Sequence, residues 1–264
     1  MWVGVKMNLI KELYNYRELL KSNIKKEIRG KYKGSFLGVL WSFVNPLLSV
    51  LVYAIVFPLI LKNNQPNYVT FLIIGILPWN FFTTVINQGT FTILGNAGII
   101  KKVYFPREIL PISVVTSGLV NFLISCLIIF IFLIFSGLGF SSYMLYLPLI
   151  ILTQYILSLG IVLITSAVNV YIRDAEYIIN FILNMLFYAT PILYSADLFA
   201  GSNIEWIIKL NPMATIINCY RDVLYYQSMP HIKSLLFVLL LSIILLMIGK
   251  WVFDKLEKGF AEEV

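Results

Sequence analysis

Two runs of side chains have the types and the spacing to do chemistry. Trp41, Asn45, Ser49, Tyr53 and Phe57 recur every four residues, and Asn180, Asn184 and Tyr188 repeat that interval ahead of Pro191. In a helix, a four-residue interval places side chains on one slowly turning face. Aromatic faces stack on sugar rings and amides hydrogen-bond hydroxyls, so two such faces can line a conduit for a polyhydroxylated cargo. The same residues also serve as glue between helices, because an amide turned toward lipid is left unsatisfied. The stripes alone fit either role.

Other chemistries are poorly supplied. The single histidine, His231, stands beside Pro230, and Asp197, Glu205 and Asp222 show no spacing that pairs them for acid–base work. No cluster has metal-ligand spacing, so neither a catalytic residue nor a metal site is expected. No G-x-x-x-x-G-K-S/T run occurs, so any ATP that drives the protein, with its Mg, is bound by a separate chain and this one carries no cofactor. Cys126 falls inside an apolar run, and with Cys219 it makes no disulfide framework.

The elements that position the stripes are membrane helices. The 264 residues are 59% hydrophobic and 12% charged, with a mean hydropathy of +0.86. A soluble domain carries about 25% charged residues, so lipid must solvate much of this chain. Six windows are long and apolar enough to span: 36–61, 69–86, 109–135, 145–171, 177–194 and 235–253. Their central parts hold almost no ionisable residue, which argues against ion-coupled transport. With the N-terminus inside, sixteen of the 20 Lys and Arg residues fall on the cytoplasmic side and four outside. That asymmetry predicts six crossings of the cytoplasmic membrane with both termini in the cytoplasm. It also makes lipid, rather than nucleic acid, the partner of the net charge of +7.

Residues 1–34 carry charge throughout and lack the apolar core of a signal peptide. Within them, 7–33 alternates an apolar stripe with Arg17, Lys21, Lys25, Arg29 and Lys33 at spacing four. This is the pattern of an amphipathic helix lying in the headgroup plane, or against a soluble partner. Residues 35–264 form one transmembrane domain. Two connections exceed a turn. Residues 90–102 can form a short cytoplasmic helix. Residues 195–233 hold two apolar pieces too short to span, broken at Asn211-Pro212, which suits re-entrant helices or a plain outer loop.

Six segments in order, covering nearly the whole chain, resemble the permease subunit of type-2 ABC exporters of polysaccharides and polyol phosphates. They are Gly30-Lys31-Tyr32-Lys33-Gly34-Ser35-Phe36-Leu37-Gly38 running on to Trp41, Gly75-Ile76-Leu77-Pro78-Trp79, and Lys101-Lys102-Val103-Tyr104-Phe105-Pro106-Arg107-Glu108. Next come Arg173-Asp174, Thr190-Pro191-Ile192-Leu193-Tyr194, and Leu210-Asn211-Pro212 followed by Tyr220-Arg221. Lys31 stands where that family usually has arginine.

The resemblance implies an all-α membrane fold with six transmembrane helices. It adds an interfacial N-terminal helix, a coupling helix between spans two and three, and two re-entrant helices between spans five and six. It implies a homodimer bound to two copies of an ABC ATPase. The cargo would be a polyprenyl-pyrophosphate-linked glycan such as O-antigen, wall teichoic acid or capsule. Gly95, Asn96, Lys101 and Lys102 would contact the ATPase. Arg29, Lys31 and Lys33 would attract the pyrophosphate, or would simply be the positive-inside signal. Asn211, Pro212 and Arg221 would shape the outer re-entrant loop, and the two stripes would line the path. A type-2 permease for a drug or simple lipid, and a membrane enzyme acting on glycan, are the competing readings.

Overall fold

A computed structural model of the protein describes residues 14–30, 34, 36, 38–61, 65–195, 198, 201 and 205–264, and every regular element among them is a helix. In chain order these are α1 (Arg17–Gly30), α2 (Trp41–Leu61), α3 (Tyr68–Gly95), α4 (Ala97–Ile100), α5 (Ile109–Phe135) and α6 (Leu147–Tyr171). They continue with α7 (Ala175–Ala189), α8 (Glu205–Leu210), α9 (Pro212–Leu224), α10 (Ile232–Leu256) and α11 (Phe260–Glu263). Short 3₁₀ turns lead into α2 and α6 and separate α10 from α11.

Four helical stretches are long and apolar enough to cross a bilayer: Tyr68–Gly95, Ile109–Phe135, Ser142–Tyr171 and Ile232–Glu263. Two shorter apolar helices accompany them, Phe43–Phe57 within α2 and Ala175–Ala189. Helix α3 outruns its apolar window of 69–86 and continues through Asn87 and Gln88 to Gly95. Helix α7 stops short of its window's end. Thr190 is extended, with φ −103° and ψ 135°, as the residue ahead of a proline prefers.

Helix α3 is the axis of the bundle, with Phe71, Leu72, Ile74, Val85 and Ile93 shielded completely. The helix runs on unbroken through Pro78. The buried Gln154 of α6 donates to the Pro78 carbonyl at 2.8 Å, and Tyr220 of α9 donates to the same amide's oxygen at 3.0 Å. One glutamine thus ties three helices at membrane depth, where an interhelical hydrogen bond meets no competition from water.

Helices α6 and α10 meet backbone to backbone. A methyl group on Gly160 would lie 2.8 Å from the Leu246 nitrogen, and one on Gly249 would lie 2.5 Å from the Gly160 carbonyl oxygen. Such small-residue contacts let helices associate where lipid removes the hydrophobic drive between them. The outward faces are apolar. Leu123, Leu127 and Ile131 on α5, and Phe237, Leu240 and Met247 on α10, are exposed, as side chains dissolved in lipid should be.

Candidate functional site

The two predicted stripes meet through a residue that belongs to neither. Tyr53 of α2 packs its ring on Phe57 at 5.8 Å and on Phe187 of α7 at 6.0 Å. Phe187 in turn contacts Trp79 of α3 at 5.9 Å and Tyr188 at 5.2 Å. Asn180, Asn184 and Tyr188 lie on the exposed side of α7, with Tyr188 70% exposed. Trp41 and Asn45 are exposed at the start of α2, while Ser49 spends its hydroxyl on the Asn45 carbonyl at 3.1 Å. The interval of four therefore gathers an aromatic cluster between α2 and α7 and leaves an amide-bearing face of α7 uncovered. Phe187 lies off the stripe by one residue, so spacing alone did not single it out.

The segment from Thr190 to Arg221 is built around a buried cation. Arg221 is 1% exposed. Its guanidinium donates to the carbonyls of Pro191, Ile192 (2.6 Å) and Tyr194 (3.3 Å), and it lies 3.5 Å over the ring of Phe71. Gly75 makes room for it, since a methyl group there would come within 2.9 Å of Arg221 Nη2. Asn211 caps α9 by accepting from the Met213 amide at 3.0 Å, and its amide donates to the Thr190 hydroxyl at 2.8 Å. Pro212 follows as the first residue of α9, where its missing N–H costs nothing. Three separate sequence segments, around Gly75, Thr190–Tyr194 and Asn211–Arg221, thus close on one another. Arg221 holds three carbonyls of the non-helical stretch 190–194, and the Tyr68 hydroxyl donates to a fourth, that of Leu193, at 2.7 Å.

At the opposite end, α4 is one short helical turn. Gly95, Lys101 and Lys102 are exposed, and Asn96 is tied by its amide to the Thr92 carbonyl at 2.8 Å. Lys26 of α1 donates to Asn96 Oδ1 at 3.2 Å, which fastens the N-terminal helix beside this turn. Ile99, Val103 and Tyr104 (90% exposed) form an apolar edge next to the lysines. Behind them Ile100, Phe105, Phe253 and Phe260 form a small core. Lys31 and Lys33 lie outside the described residues, as does the side chain of Arg29.

An ion cluster braces this end, and sequence spacing gave no sign of it because its members come from distant segments. Lys250 bridges Glu108 and Asp254, and Arg107 donates to the Glu257 carbonyl. Burial pushes the Glu108 carboxyl up to about 7 against the pull of Lys250. Three carboxylates lie within 4.8 Å here, and the Lys250 ammonium supplies the countercharge that a cation would otherwise bring.

The fold and these features are those of an integral membrane protein. Residues 18–225 match the family described as ABC-2 type transporter, and the chain belongs to that family. It is 33% identical over 259 residues to the O-antigen export system permease protein RfbA of Myxococcus xanthus, covering 98% of this chain and all of that protein. It is 36% identical over 246 residues to the O-antigen export system permease protein RfbA of Klebsiella pneumoniae, covering 93% and 94% of the two chains. The polysialic acid transport protein KpsM of Escherichia coli is more distant, 21% identical over 231 residues, or 85% of this chain and 88% of that protein. The chain is therefore an integral membrane permease subunit whose ATP-hydrolysing partner is an ABC ATPase, and it is not itself the enzyme.

Proposed function

We propose that this permease carries lipid-linked O-antigen across the cytoplasmic membrane, driven by its partner ATPase. The observation that carries the reading is the relation, at 33–36% identity over almost the full chain, to O-antigen export permeases of two organisms. Capsule is the second reading, favoured only by the 21% identity to the polysialic acid transporter. Wall teichoic acid, a drug or a simple lipid has no such relative among these.

In this reading six helices cross the membrane, with α2 and α7 as the first and fifth, and both termini are cytoplasmic. Two copies of the chain pair and bind two ATPase subunits, which hold ATP and Mg. The exposed amides and aromatic rings of α2 and α7 support a path between protomers, since polar groups facing lipid would be unsatisfied. The turn at α4, with Lys101, Lys102 and its apolar edge, is the part that the ATPase pushes on. Helices α8 and α9 are the re-entrant pair at the exit. The basic residues around Arg29, Lys31 and Lys33 draw the pyrophosphate of the polyprenyl carrier toward the path.

The test is genetic. Deleting the gene should abolish surface O-antigen and leave the lipid-linked polymer inside the cell, and the wild-type gene should restore export. Unchanged surface O-antigen in the deletion strain would overturn the reading.

A further inference from the structure

A cavity of about 370 Å³ opens between α2, α3 and α5, within the ~300–1,000 Å³ range of small-ligand pockets. None of its lining residues comes from α7, so it is a side chamber of the α2 face rather than part of the exposed α7 face. Its polar lining is Asn45, Asn80, Thr84, Asn121 and Ser125, with no ionisable group. Asn80 and Asn121 sit near the middle of α3 and α5.

The side chains of Asn45, Asn80 and Thr84 have no hydrogen-bond partner among the described residues. Each amide carries two donors and an acceptor oxygen, and leaving such a group unpaired away from water costs roughly 2–7 kcal/mol. Two such amides and one hydroxyl around one cavity in a bilayer-crossing bundle mark a place made for a hydrogen-bonding occupant. An alkyl chain would leave them stranded. A phosphate would need Lys or Arg, and none lines the wall. The remaining wall is aromatic: Phe81 stacks on Phe122 at 5.3 Å, and Trp41 stands at the mouth, 39% exposed. Amides and hydroxyls beside flat rings match a molecule with hydroxyls at its rim and C–H groups on its faces.

We propose that this cavity binds one uncharged sugar ring of the exported glycan, with Asn45, Asn80 and Thr84 pairing its hydroxyls and Trp41 covering its face. The proposal rests on the glycan-export reading and names a subsite beside the path. Its consequence is selectivity: a glycan presents such a ring at this level of the bundle, and a lipid without sugar does not.

The test uses the permease–ATPase complex in nanodiscs prepared without maltoside detergent. The probe is the oligosaccharide released from the cell's own exported glycan, freed of lipid and phosphate, and binding is read by saturation-transfer NMR. Asn80→Leu and Thr84→Val should each weaken binding by about tenfold, or about 1.4 kcal/mol. Leu127→Ala, on the lipid-facing side of α5, should bind as the wild type does. If a variant does not assemble, Thr84→Cys labelled by a small hydrophilic thiol reagent replaces it, and the probe should slow that labelling. Wild-type binding in both polar variants, or labelling that the probe leaves unchanged, overturns the proposal and leaves the cavity a water pocket. Export by the wild-type protein is scored separately in cells: absence of export removes the functional reading, whereas export with unaltered binding in the variants removes only the sugar site.

Discussion

Arg221 shows what one side chain does for a whole end of the bundle. Counted as sequence it is one of four outward positive charges; in the fold it is sealed over Phe71 and holds three carbonyls of the 191–194 segment. Hydrogen bonds from a charged donor contribute more than neutral ones, and the carbonyls would be orphaned without it. Arg221→Met should therefore lower the unfolding free energy by roughly 3 kcal/mol or more, measured by denaturant titration in detergent. A change within about 0.5 kcal/mol, as for an ordinary surface position, would contradict the clamp. Gly75→Ala pushes on the same guanidinium and should cost about 1–3 kcal/mol. Combined with Arg221→Met it should cost less than the sum, because both act on one contact. The motif residues were legible as sequence because glycine, proline and asparagine mark special backbone. Their meeting was not legible, because Gly75 and Arg221 are joined only by the way α9 folds back against α3.

Among the elements, the long apolar helices follow from composition and length, and α5 runs from Ile109 to Phe135 as its window indicates. The ends follow less directly. Helix α3 carries nine polar and apolar residues past its window because Thr90 and Asn169 give its last turns partners: Asn169 of α6 donates to the Thr90 carbonyl at 3.2 Å. The stripes were visible from spacing, whereas the cavity beside α2 was not, because Asn80 with Thr84 and Asn121 with Ser125 are single pairs in separate helices and gain meaning only side by side. The short turn α4 belongs to this scale too. Lys101 and Lys102 make no ion pair among the described residues and flank an exposed apolar edge, the composition of a surface kept for a partner. Changing both to glutamate should reduce export by about tenfold or more, since a misplaced charge at an interface costs several kcal/mol. The permease itself should keep its unfolding midpoint. Undiminished export, measured as surface glycan, would place the ATPase contact elsewhere.

At the scale of the molecule, the charge asymmetry predicts an orientation that can be tested chemically. Arg221 is sealed inside the protein, so it drops out of the charges predicted to face outward. With Cys126 and Cys219 replaced by alanine, Ser142→Cys should react with an impermeant maleimide on intact cells, and Lys258→Cys should react only after permeabilisation. Both positions are exposed. The reverse pattern would invert the topology. The contact between Gly160 and Gly249 bears on how such a molecule can work. Two helices touching through bare backbone have no layer of side chains to act as a lubricant, so neither can slide along or roll over the other without a collision of main-chain atoms. Helices α6 and α10 consequently behave as a single strut that ends at the ion cluster on one side of the bundle. A push delivered at the ion-cluster end tilts the strut rather than shortening it. Helices α2 and α7, by contrast, hold no glycine and meet through the rings of Tyr53 and Phe187, whose rotamers can change, and a bulkier residue at Gly160 or Gly249 would splay the strut itself.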